Sequence, residues 1–240
     1  MPVLEGRTAA ILGGTSGIGL ATAQMLAGRG AAVTVGGRDE RRLTEAQASI
    51  GHDARAIRVD ATEAGSLRRF FEEAAPIDDL VVTVTGRGGA GPAQELPEQD
   101  VIGAFARKPA AHLQAVALAL PGLHEHGSVT FVSAGSAQSA LPGTVLLAAA
   151  NGAIEAAVPP LARELAPRRV NAVSPGVIDT GWWDTLSEQD RDAAFARFAE
   201  QAPVGRIGIA EDVAQAICAL IENDYITGVV LPCDGGLRLT

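Results

Sequence analysis

Cysteine, tyrosine and tryptophan are all scarce in this sequence of 240 residues, and aromatic residues make up only 4% of it. The two cysteines, Cys218 and Cys233, are too few for a disulfide framework and do not cluster with other metal-ligating residues. Such sparse cysteine usage is typical of a reducing compartment. The sequence therefore predicts no disulfide and no metal site.

Positive charge and long hydrophobic runs are also lacking. The formal net charge is −9, whereas a nucleic acid or an anionic membrane requires a basic face on its partner. The longest apolar runs, residues 145–150 and 115–120, are too short to cross a bilayer, and the first residues lack a signal-peptide pattern. We therefore expect a cytoplasmic protein with no nucleic-acid or membrane partner.

Hydrophobic residues, at 47% of the sequence, are sufficient for one substantial core. Short β-branched runs alternate with longer patterns rich in alanine, leucine, arginine and glutamate, which indicates βαβ units and a parallel sheet. The predicted strands are residues 8–12, 32–35, 56–59, 80–84, 128–132, 169–173 and 229–231. The predicted fold is one α/β domain over residues 1–240, with a doubly wound, seven-stranded parallel sheet and helices on both faces.

A glycine-rich turn, Leu12-Gly13-Gly14-Thr15-Ser16-Gly17-Ile18-Gly19, joins the first predicted strand to the first predicted helix. In this pattern Gly13 permits a tight turn, Gly17 lets the backbone approach a phosphate, and Gly19 lets the helix pack closely against the strand. The free N–H groups and the positive dipole end of the helix favour a bound diphosphate. The turn predicts a dinucleotide site; the alternative is a plain strand-to-helix loop.

The G-x-x-x-G-x-G spacing of this turn resembles the short-chain dehydrogenase/reductase family, in which a threonine usually stands at the position of Leu12. Three further segments are similar to that family: Arg169-Val170-Asn171-Ala172-Val173-Ser174-Pro175-Gly176-Val177-Ile178-Asp179-Thr180, Tyr225-Ile226-Thr227-Gly228 and Asp234-Gly235-Gly236. The resemblance covers almost the whole chain. It implies a Rossmann fold, a nicotinamide dinucleotide, a small-molecule substrate and a homo-oligomer, either a dimer or a tetramer.

Cofactor-binding residues follow from the resemblance and from the strand ends, where doubly wound sheets bind ligands. They are Gly13, Thr15, Ser16, Gly17, Ile18, Gly19, Arg38, Asp60, Ala61, Thr85, Gly86, Asn151, Pro175, Gly176, Val177, Ile178 and Thr180. The position of Gly37 lacks the acidic residue that would bond the adenosine ribose of NAD(H). Because the guanidinium of Arg38 suits a 2′-phosphate, NADP(H) is favoured over NAD(H). Alternatively, Arg38 is a solvated residue at a helix start, and Asp39 and Asp60 cap the helices that follow them.

The catalytic residues of the family are missing from this sequence. The resemblance places Ala134 at the position of the serine that orients the carbonyl, Leu147 at that of the proton-donating tyrosine, and Asn151 at that of the lysine. These side chains lack the hydroxyl, the transferable proton and the charge that the chemistry needs. The sole tyrosine, Tyr225, is better explained by the C-terminal family segment than by catalysis. The usual mechanism therefore cannot operate.

Two residues of the predicted cleft, Ser133 and Lys108, are candidate catalytic groups. The resemblance places Lys108 at the position of an asparagine in the preceding helix of the family. The cleft is also predicted to hold Ser136, Thr85 and His112. We hypothesise that Lys108 occupies the space vacated at Asn151 and contacts the nicotinamide ribose or polarises a substrate carbonyl. The alternative is a surface lysine beside the helix-kinking Pro109.

Residues 181–202 correspond to the variable lid of the family and begin with Trp182 and Trp183. The paired tryptophans indicate an apolar or aromatic substrate, or else they anchor the lid to the core. The helices that form interfaces in the family contain Pro109, Pro159 and Pro160 here, and interior prolines bend helices. We therefore expect an oligomer of altered geometry.

The sequence thus predicts an atypical NADP(H)-dependent oxidoreductase that transfers hydride between the cofactor and a carbonyl or alcohol without a tyrosine–lysine pair. Two alternatives stay open. One is a catalytically silent NADP(H)-binding protein that senses the cofactor or pairs with an active partner. The other is a non-redox lyase or cyclase that keeps the fold.

Overall fold

Seven short, largely apolar segments form one parallel sheet in the computed structural model, which describes residues 3–51, 53–85 and 89–240. Its strands are β1 (Thr8–Leu12), β2 (Ala32–Gly37), β3 (Arg55–Arg58), β4 (Ile77–Val82), β5 (Leu123–Val132), β6 (Arg169–Pro175) and β9 (Val230–Cys233). A separate two-stranded parallel sheet pairs β7 (Ile178–Asp179) with β8 (Gly208–Ile209). The prediction of a seven-stranded parallel sheet is confirmed, and the small second sheet was not predicted.

The helices alternate with the strands along the chain, as the composition pattern predicts. They are α1 (Gly17–Gly28), α2 (Glu40–Ile50), α3 (Ala64–Ala74), α4 (Glu98–Phe105), α5 (Ala111–Ala119), α6 (Val145–Glu164), α7 (Glu188–Gln201) and α8 (Ala210–Glu222). A π-helical segment, Ala106–Ala110, joins α4 to α5. Such segments are rare and often occur at functional sites.

The strand order in the large sheet is β3-β2-β1-β4-β5-β6-β9. The order reverses between β1 and β4, which lie side by side with Leu12 opposite Val82. In a doubly wound sheet the crevice outside the carboxyl ends of the strands at this switch point is where ligands bind. The topology therefore places the start of α1 at the expected binding edge.

Two hydrophobic layers cover the two faces of the sheet. Alternate residues of β1 face opposite layers: Leu12 packs with Phe131 beneath α3, α5 and α6, whereas Ile11 packs with Leu26 and Ile217 beneath α1 and α8. This alternation, with both faces buried, is typical of a parallel sheet covered by helices. It confirms the predicted arrangement of helices on both faces.

Two interior prolines, Pro159 and Pro160, lie within α6. This helix continues through Pro159 and Pro160 for its full 20 residues. By contrast, Pro109 lies where the α-helical pattern gives way to the π-helical segment. A proline cannot donate a backbone hydrogen bond, so a local change of pattern at Pro109 has a direct physical cause.

The length and apolar composition of α6 are sufficient for a membrane span. Its inward side nevertheless contributes Ile154 and Val158 to the core beneath the sheet, where both are almost fully buried. The helix is therefore an integral element of the α/β domain.

Candidate functional site

The glycines of the turn between β1 and α1 adopt the conformations that the motif requires. Gly13 and Gly17 have positive φ values of 85° and 51°, which favour glycine. A Cβ atom at Gly19 would lie only 2.2 Å from the carbonyl oxygen of Gly13 and 2.7 Å from Oγ1 of Thr83. The start of α1 therefore approaches the end of β1 as closely as a glycine allows.

The start of α1 offers unpaired hydrogen-bond donors. Its N-cap, Ser16, makes no side-chain capping bond, and the N–H groups of Gly17, Ile18 and Gly19 donate to none of the residues that the structure describes. Unpaired N–H groups at a helix N-terminus form a site for phosphate. These observations fit a bound diphosphate better than a plain connecting loop.

The two family-like motifs, which are far apart in sequence, meet at this helix start. A Cβ atom at Gly17 would contact Cγ2 of Thr180 at 3.3 Å. Ile18 and Thr180 line one large cleft, and so do Pro175, Gly176, Val177 and Ile178. The structure therefore brings the β6–β7 segment and the glycine turn to the same edge of the sheet, as the resemblance implies.

At the end of β2, the side chain of Thr15 lies against Gly37. A Cβ atom there would lie 2.6 Å from Cγ2 of Thr15, so a larger residue at this position would require the Thr15 side chain to move. Arg38 is exposed beside it, and Asp39 caps α2 by accepting a hydrogen bond from the N–H of Arg42 at 3.0 Å. The capping interpretation of Asp39 is therefore correct, and Arg38 is accessible to a phosphate.

Asp60 does not cap the helix that follows it, contrary to one interpretation of the sequence. Its Oδ1 accepts hydrogen bonds from the N–H and the hydroxyl of Thr62, at 2.9 and 2.7 Å, and α3 begins only at Ala64, with Glu63 as its N-cap. These bonds lower the pKa of the Asp60 carboxyl group below its ordinary value. Ala61 is buried next to it.

The cleft has a volume of about 1300 Å³ and runs from the start of α1 to the lid. It contains Thr85, as predicted, whereas Gly86 lies outside the described residues. Ala134 and Leu147, which the resemblance places at the catalytic serine and tyrosine of the family, also line it. The structure thus brings these two positions into one cleft.

Asn151 lines the cleft and is 2% exposed. Its Nδ2 donates to the carbonyl oxygen of Leu147 at 2.8 Å and to Oγ of Ser136 at 3.2 Å. Its Oδ1 is buried and accepts no hydrogen bond from the described part of the chain. An unpaired buried acceptor is unfavourable, and a ribose hydroxyl is a donor of the kind it needs.

Lys108 is the only lysine in the sequence; the other 18 basic residues are arginines. It lies in the π-helical segment on the wall of the cleft, and its Nζ donates to the carbonyl oxygen of Ser133 at 3.2 Å. Burial lowers the pKa of Lys108 to about 8, and the nearby carboxylate of Glu155 opposes this shift. Lys108 is therefore a half-buried residue of the cleft wall rather than a freely solvated lysine.

Ser133 is 3% exposed and its hydroxyl is already engaged. Its Oγ donates to Oε1 of Glu155 at 2.8 Å, and Ser174 donates to the same oxygen at 2.8 Å. The predicted catalytic role of Ser133 would require this hydroxyl to turn away from Glu155. In the observed arrangement Ser133 instead holds the Lys108 ammonium group through its carbonyl oxygen.

Glu155 was missed in the sequence, although one signal for it existed. It lies four residues after Asn151 on α6, and residues at this spacing share a helix face. Its second carboxylate oxygen accepts a hydrogen bond from Nε2 of Gln138 at 2.8 Å. Glu155 therefore connects the segment after β5 with β6 at the back of the cleft.

His112 does not belong to the cleft, contrary to the prediction. It is fully buried, packs against Phe131 with 5.5 Å between ring centroids, and its Nδ1 donates to the carbonyl oxygen of Lys108 at 2.8 Å. Burial is the main cause that lowers the pKa of His112 to about 3, so the ring is neutral. His112 is thus part of the support for the backbone of Lys108.

The lid, residues 181–202, follows Thr180 and includes α7. Nε1 of Trp183 donates to the carbonyl oxygen of Ile178 at 3.0 Å, and its ring packs edge-on against Phe195, with centroids 5.5 Å apart. Trp182 packs edge-on against Trp183 at 4.8 Å. Both tryptophans line the cleft, so the pair anchors the lid and also forms an aromatic wall. Tyr225 is 99% exposed and lies outside the cleft.

A doubly wound parallel sheet with a glycine-lined helix start at its switch point defines an α/β dinucleotide-binding protein. A family model described as Enoyl-(Acyl carrier protein) reductase matches residues 13–238. The short-chain dehydrogenase/reductase ATR9 of Stachybotrys chlorohalonatus is 34% identical, and the match covers both chains completely. The chain belongs to the short-chain dehydrogenase/reductase family.

Two solved structures show how closely the fold is shared. A small-chain dehydrogenase in complex with NADPH superposes with a TM-score of 0.86 at 32% identity, covering 98% of this chain and 99% of the other. The MalC reductase/Diels-Alderase of Malbranchea aurantiaca gives a TM-score of 0.93 at 26% identity, covering 100% and 99%. Members of the family are oxidoreductases that bind nicotinamide cofactors and act on small molecules.

Proposed function

We propose that this protein is an NADP(H)-dependent oxidoreductase that interconverts a carbonyl compound and an alcohol, with Lys108 in place of the missing tyrosine. The observation that carries the proposal is the position of the only lysine, on the wall of a cleft where the expected proton donors are absent. Arginine is the cation everywhere else in the chain. Arginine cannot release a proton in proteins, whereas lysine can.

The residues at the edge of the sheet fit a nicotinamide dinucleotide. The unpaired N–H groups of α1 suit the diphosphate, Arg38 and Thr15 suit a 2′-phosphate, and the buried Oδ1 of Asn151 suits a ribose hydroxyl. The accessible guanidinium of Arg38, without an acid at Gly37, favours NADP(H). The nucleotide, when bound, supplies or accepts the hydride.

Lys108 is expected to act on the substrate oxygen. With a pKa of about 8, its ammonium group is protonated at neutral pH and can donate a hydrogen bond or a proton as negative charge develops on that oxygen. Glu155 favours the charged form, and the carbonyl oxygen of Ser133 orients it. Leu147 contributes an apolar surface to the same cleft.

Two variants of Lys108 test the proposal with a panel of carbonyl compounds and NADPH. Lys108→Met is expected to lower turnover by about 10²-fold or more, because general acid catalysis contributes on that scale, while the dissociation constant of NADPH stays unchanged. Lys108→Arg keeps a positive charge that can polarise the substrate oxygen but has no proton to release. Its comparison with Lys108→Met therefore separates polarisation of the substrate from proton donation. Arg55→Met, an exposed residue of β3, is the control.

The same titrations compare NADPH with NADH, and tighter binding of NADPH is expected. Unchanged turnover in Lys108→Met would remove Lys108 from the mechanism. Binding of NADPH with no turnover of any carbonyl compound would instead favour the catalytically silent alternative.

A non-redox cyclase is the second candidate. It is favoured by the absence of proton-donating groups at Ala134 and Leu147, and one structural relative is itself named a reductase/Diels-Alderase. Its test is the formation of a cyclised product from a diene-containing substrate at a rate that does not depend on NADPH oxidation. Product formation that is stoichiometric with NADPH oxidation would contradict it.

A further inference from the structure

Arg197 is a charged residue of the lid that faces the cleft. It lies on the lid helix α7, lines the cleft, and its guanidinium stacks over the ring of Phe198 at 4.9 Å from the centroid. It makes no ion pair with any carboxylate in the described ranges, whereas Arg191 on the same helix is paired with Asp192. Stacking holds a guanidinium by its face and leaves its N–H edges available.

The charge of the cleft contrasts with the charge of the chain. The chain carries a net charge of −9, but the described cleft-lining residues include four cationic side chains and only two carboxylate side chains. The cations are Arg107, Lys108, Arg197 and Arg238, and the carboxylates are Asp100 and Asp234. One pair, Arg238 and Asp234, is already in contact at 3.7 Å. An excess of positive charge therefore remains in the cleft of an acidic protein.

The surroundings of Arg197 are largely apolar. Trp182, Trp183, Leu186 and Phe198 line the same lid wall. A site that combines an aromatic wall with one positioned guanidinium matches a molecule that carries a ring and an anionic group. A carboxylate is the group whose two oxygens fit the guanidinium edge bidentately.

We infer that the substrate is a ring-bearing carboxylate whose carboxyl group binds Arg197 of the lid. This inference rests on the proposed carbonyl–alcohol activity and specifies its substrate class. The ring packs on the tryptophan wall, while the carbonyl or alcohol group is directed toward Lys108. The ion pair between the substrate carboxylate and Arg197 also links substrate binding to the position of α7, because Arg197 belongs to the lid.

The cofactor phosphates are the competing anion, and the structure gives them other partners. The diphosphate has the unpaired N–H groups of α1, and a 2′-phosphate has Arg38, which does not line the cleft. If Arg197 served the cofactor instead, its loss would weaken NADPH binding. The experiment therefore measures cofactor and carboxylate binding separately.

The kinetic test uses 4-acetylbenzoate and its methyl ester with NADPH. The wild type is expected to prefer the carboxylate, and Arg197→Gln, which keeps most of the side-chain stem, is expected to lower that preference about tenfold or more, as for other charge-assisted hydrogen bonds. Arg191→Gln, the matched control on α7, is expected to retain it. An unchanged preference in Arg197→Gln would overturn the inference.

The binding test does not depend on turnover. Benzoate and benzamide are titrated into the NADP⁺-loaded protein, and the fluorescence of the two tryptophans, both in the cleft wall, reports occupancy. Benzoate is expected to bind more tightly than benzamide to the wild type and Arg191→Gln, but not to Arg197→Gln. Equal binding of both probes to the wild type, or weakened NADPH binding in Arg197→Gln, would contradict the inference.

The two tests separate the inference from the proposed function. If no ketone is reduced but benzoate binds through Arg197, the reaction is wrong and the anion site is right. If 4-acetylbenzoate and its methyl ester are reduced equally well, the proposed reaction is supported and the proposed anion site at Arg197 is contradicted.

Discussion

At the scale of single residues, the glycines of the α1 start show how closely backbone and function are coupled. Gly19 has no space for a Cβ atom because the carbonyl oxygen of Gly13 and the hydroxyl of Thr83 already fill it. Any side chain here must push α1 away from β1, and the unpaired N–H groups move with the helix. Both the stability of the fold and the proposed cofactor binding therefore depend on the absence of a Cβ atom at Gly19.

We predict that Gly19→Ala lowers the free energy of unfolding by about 1–3 kcal/mol, as overpacking does, and weakens NADPH binding. Gly28→Ala is the matched control in the same helix, because nothing lies within 4 Å of its Cβ position. That substitution is expected to raise stability by roughly 0.5 kcal/mol through helix propensity. Denaturant unfolding and nucleotide titration measure both effects, and equal results for the two variants would contradict the packing argument.

Glu155 is a positioning residue in this scheme, because it acts through Lys108 and Ser133. Its carboxylate stabilises the charged ammonium group and so raises the pKa of Lys108 against the effect of burial. Removing that charge must lower the Lys108 pKa further below its present value of about 8. The protonated, active fraction of Lys108 is then lost at a lower pH.

We predict that Glu155→Gln shifts the alkaline limb of the kcat/KM profile downward by about one pH unit, as expected for loss of a neighbouring opposite charge. A purely structural role would lower activity at every pH without moving this limb. Glu164→Gln, at the exposed end of the same helix, is the control. Because Lys108 is the only lysine, ¹⁵N labelling of lysine reports its titration directly.

At the scale of elements, the lid depends on one tryptophan. Trp183 bonds to the carbonyl oxygen of Ile178 through its indole N–H and packs on Phe195 and Phe198 of α7. None of the residues of α7 is fully buried. Few other contacts therefore hold this helix over the cleft, and local opening is expected to require little free energy.

We predict that Trp183→Ala increases amide hydrogen exchange across residues 188–201 and raises KM for the carbonyl substrate about tenfold, while NADPH affinity changes little. Trp183→Phe keeps an aromatic ring but removes the hydrogen bond, which is worth about 1 kcal/mol, so its effect should be intermediate. Exchange rates in α7 that equal those of the wild type would show that the lid is held by other contacts.

At the scale of the whole molecule, α6 presents an apolar surface that the chain itself does not cover. Ala149, Ala156, Pro159 and Pro160 are exposed, and Val145, at the start of the helix, is 54% exposed. Large exposed apolar patches mark protein interfaces. We propose that a second copy covers this face through a two-fold interface, giving a dimer or a tetramer.

We predict that the wild type sediments as an oligomer at micromolar concentration and that Ala156→Glu, on the exposed side of α6, shifts it toward monomer. A buried unpaired carboxylate is costly at such an interface. Ala48→Glu, on the exposed side of α2, is the control and should not change the sedimentation coefficient. A monomeric wild type would contradict the proposal.

The strands, their parallel arrangement and the glycine turn could be predicted from the sequence, because each depends on residues that are neighbours in the chain. Strand boundaries shifted by a few residues; for example, Val84 lies beyond the end of β4. The resemblance to the family predicted Leu147 and Ala134 as departures from its pattern, since this comparison needs no contacts.

The hydrogen-bond partners and the burial of the polar residues became visible only in the folded structure. In the structure Glu155 accepts hydrogen bonds from Ser133 and Ser174. His112 is buried against Phe131, and Trp183 packs on α7. Hydrogen bonds and burial depend on residues that are distant in the chain, and a pattern of neighbours carries no information about them. For this reason the nucleotide site could be predicted from the sequence, whereas the support around Lys108 could not.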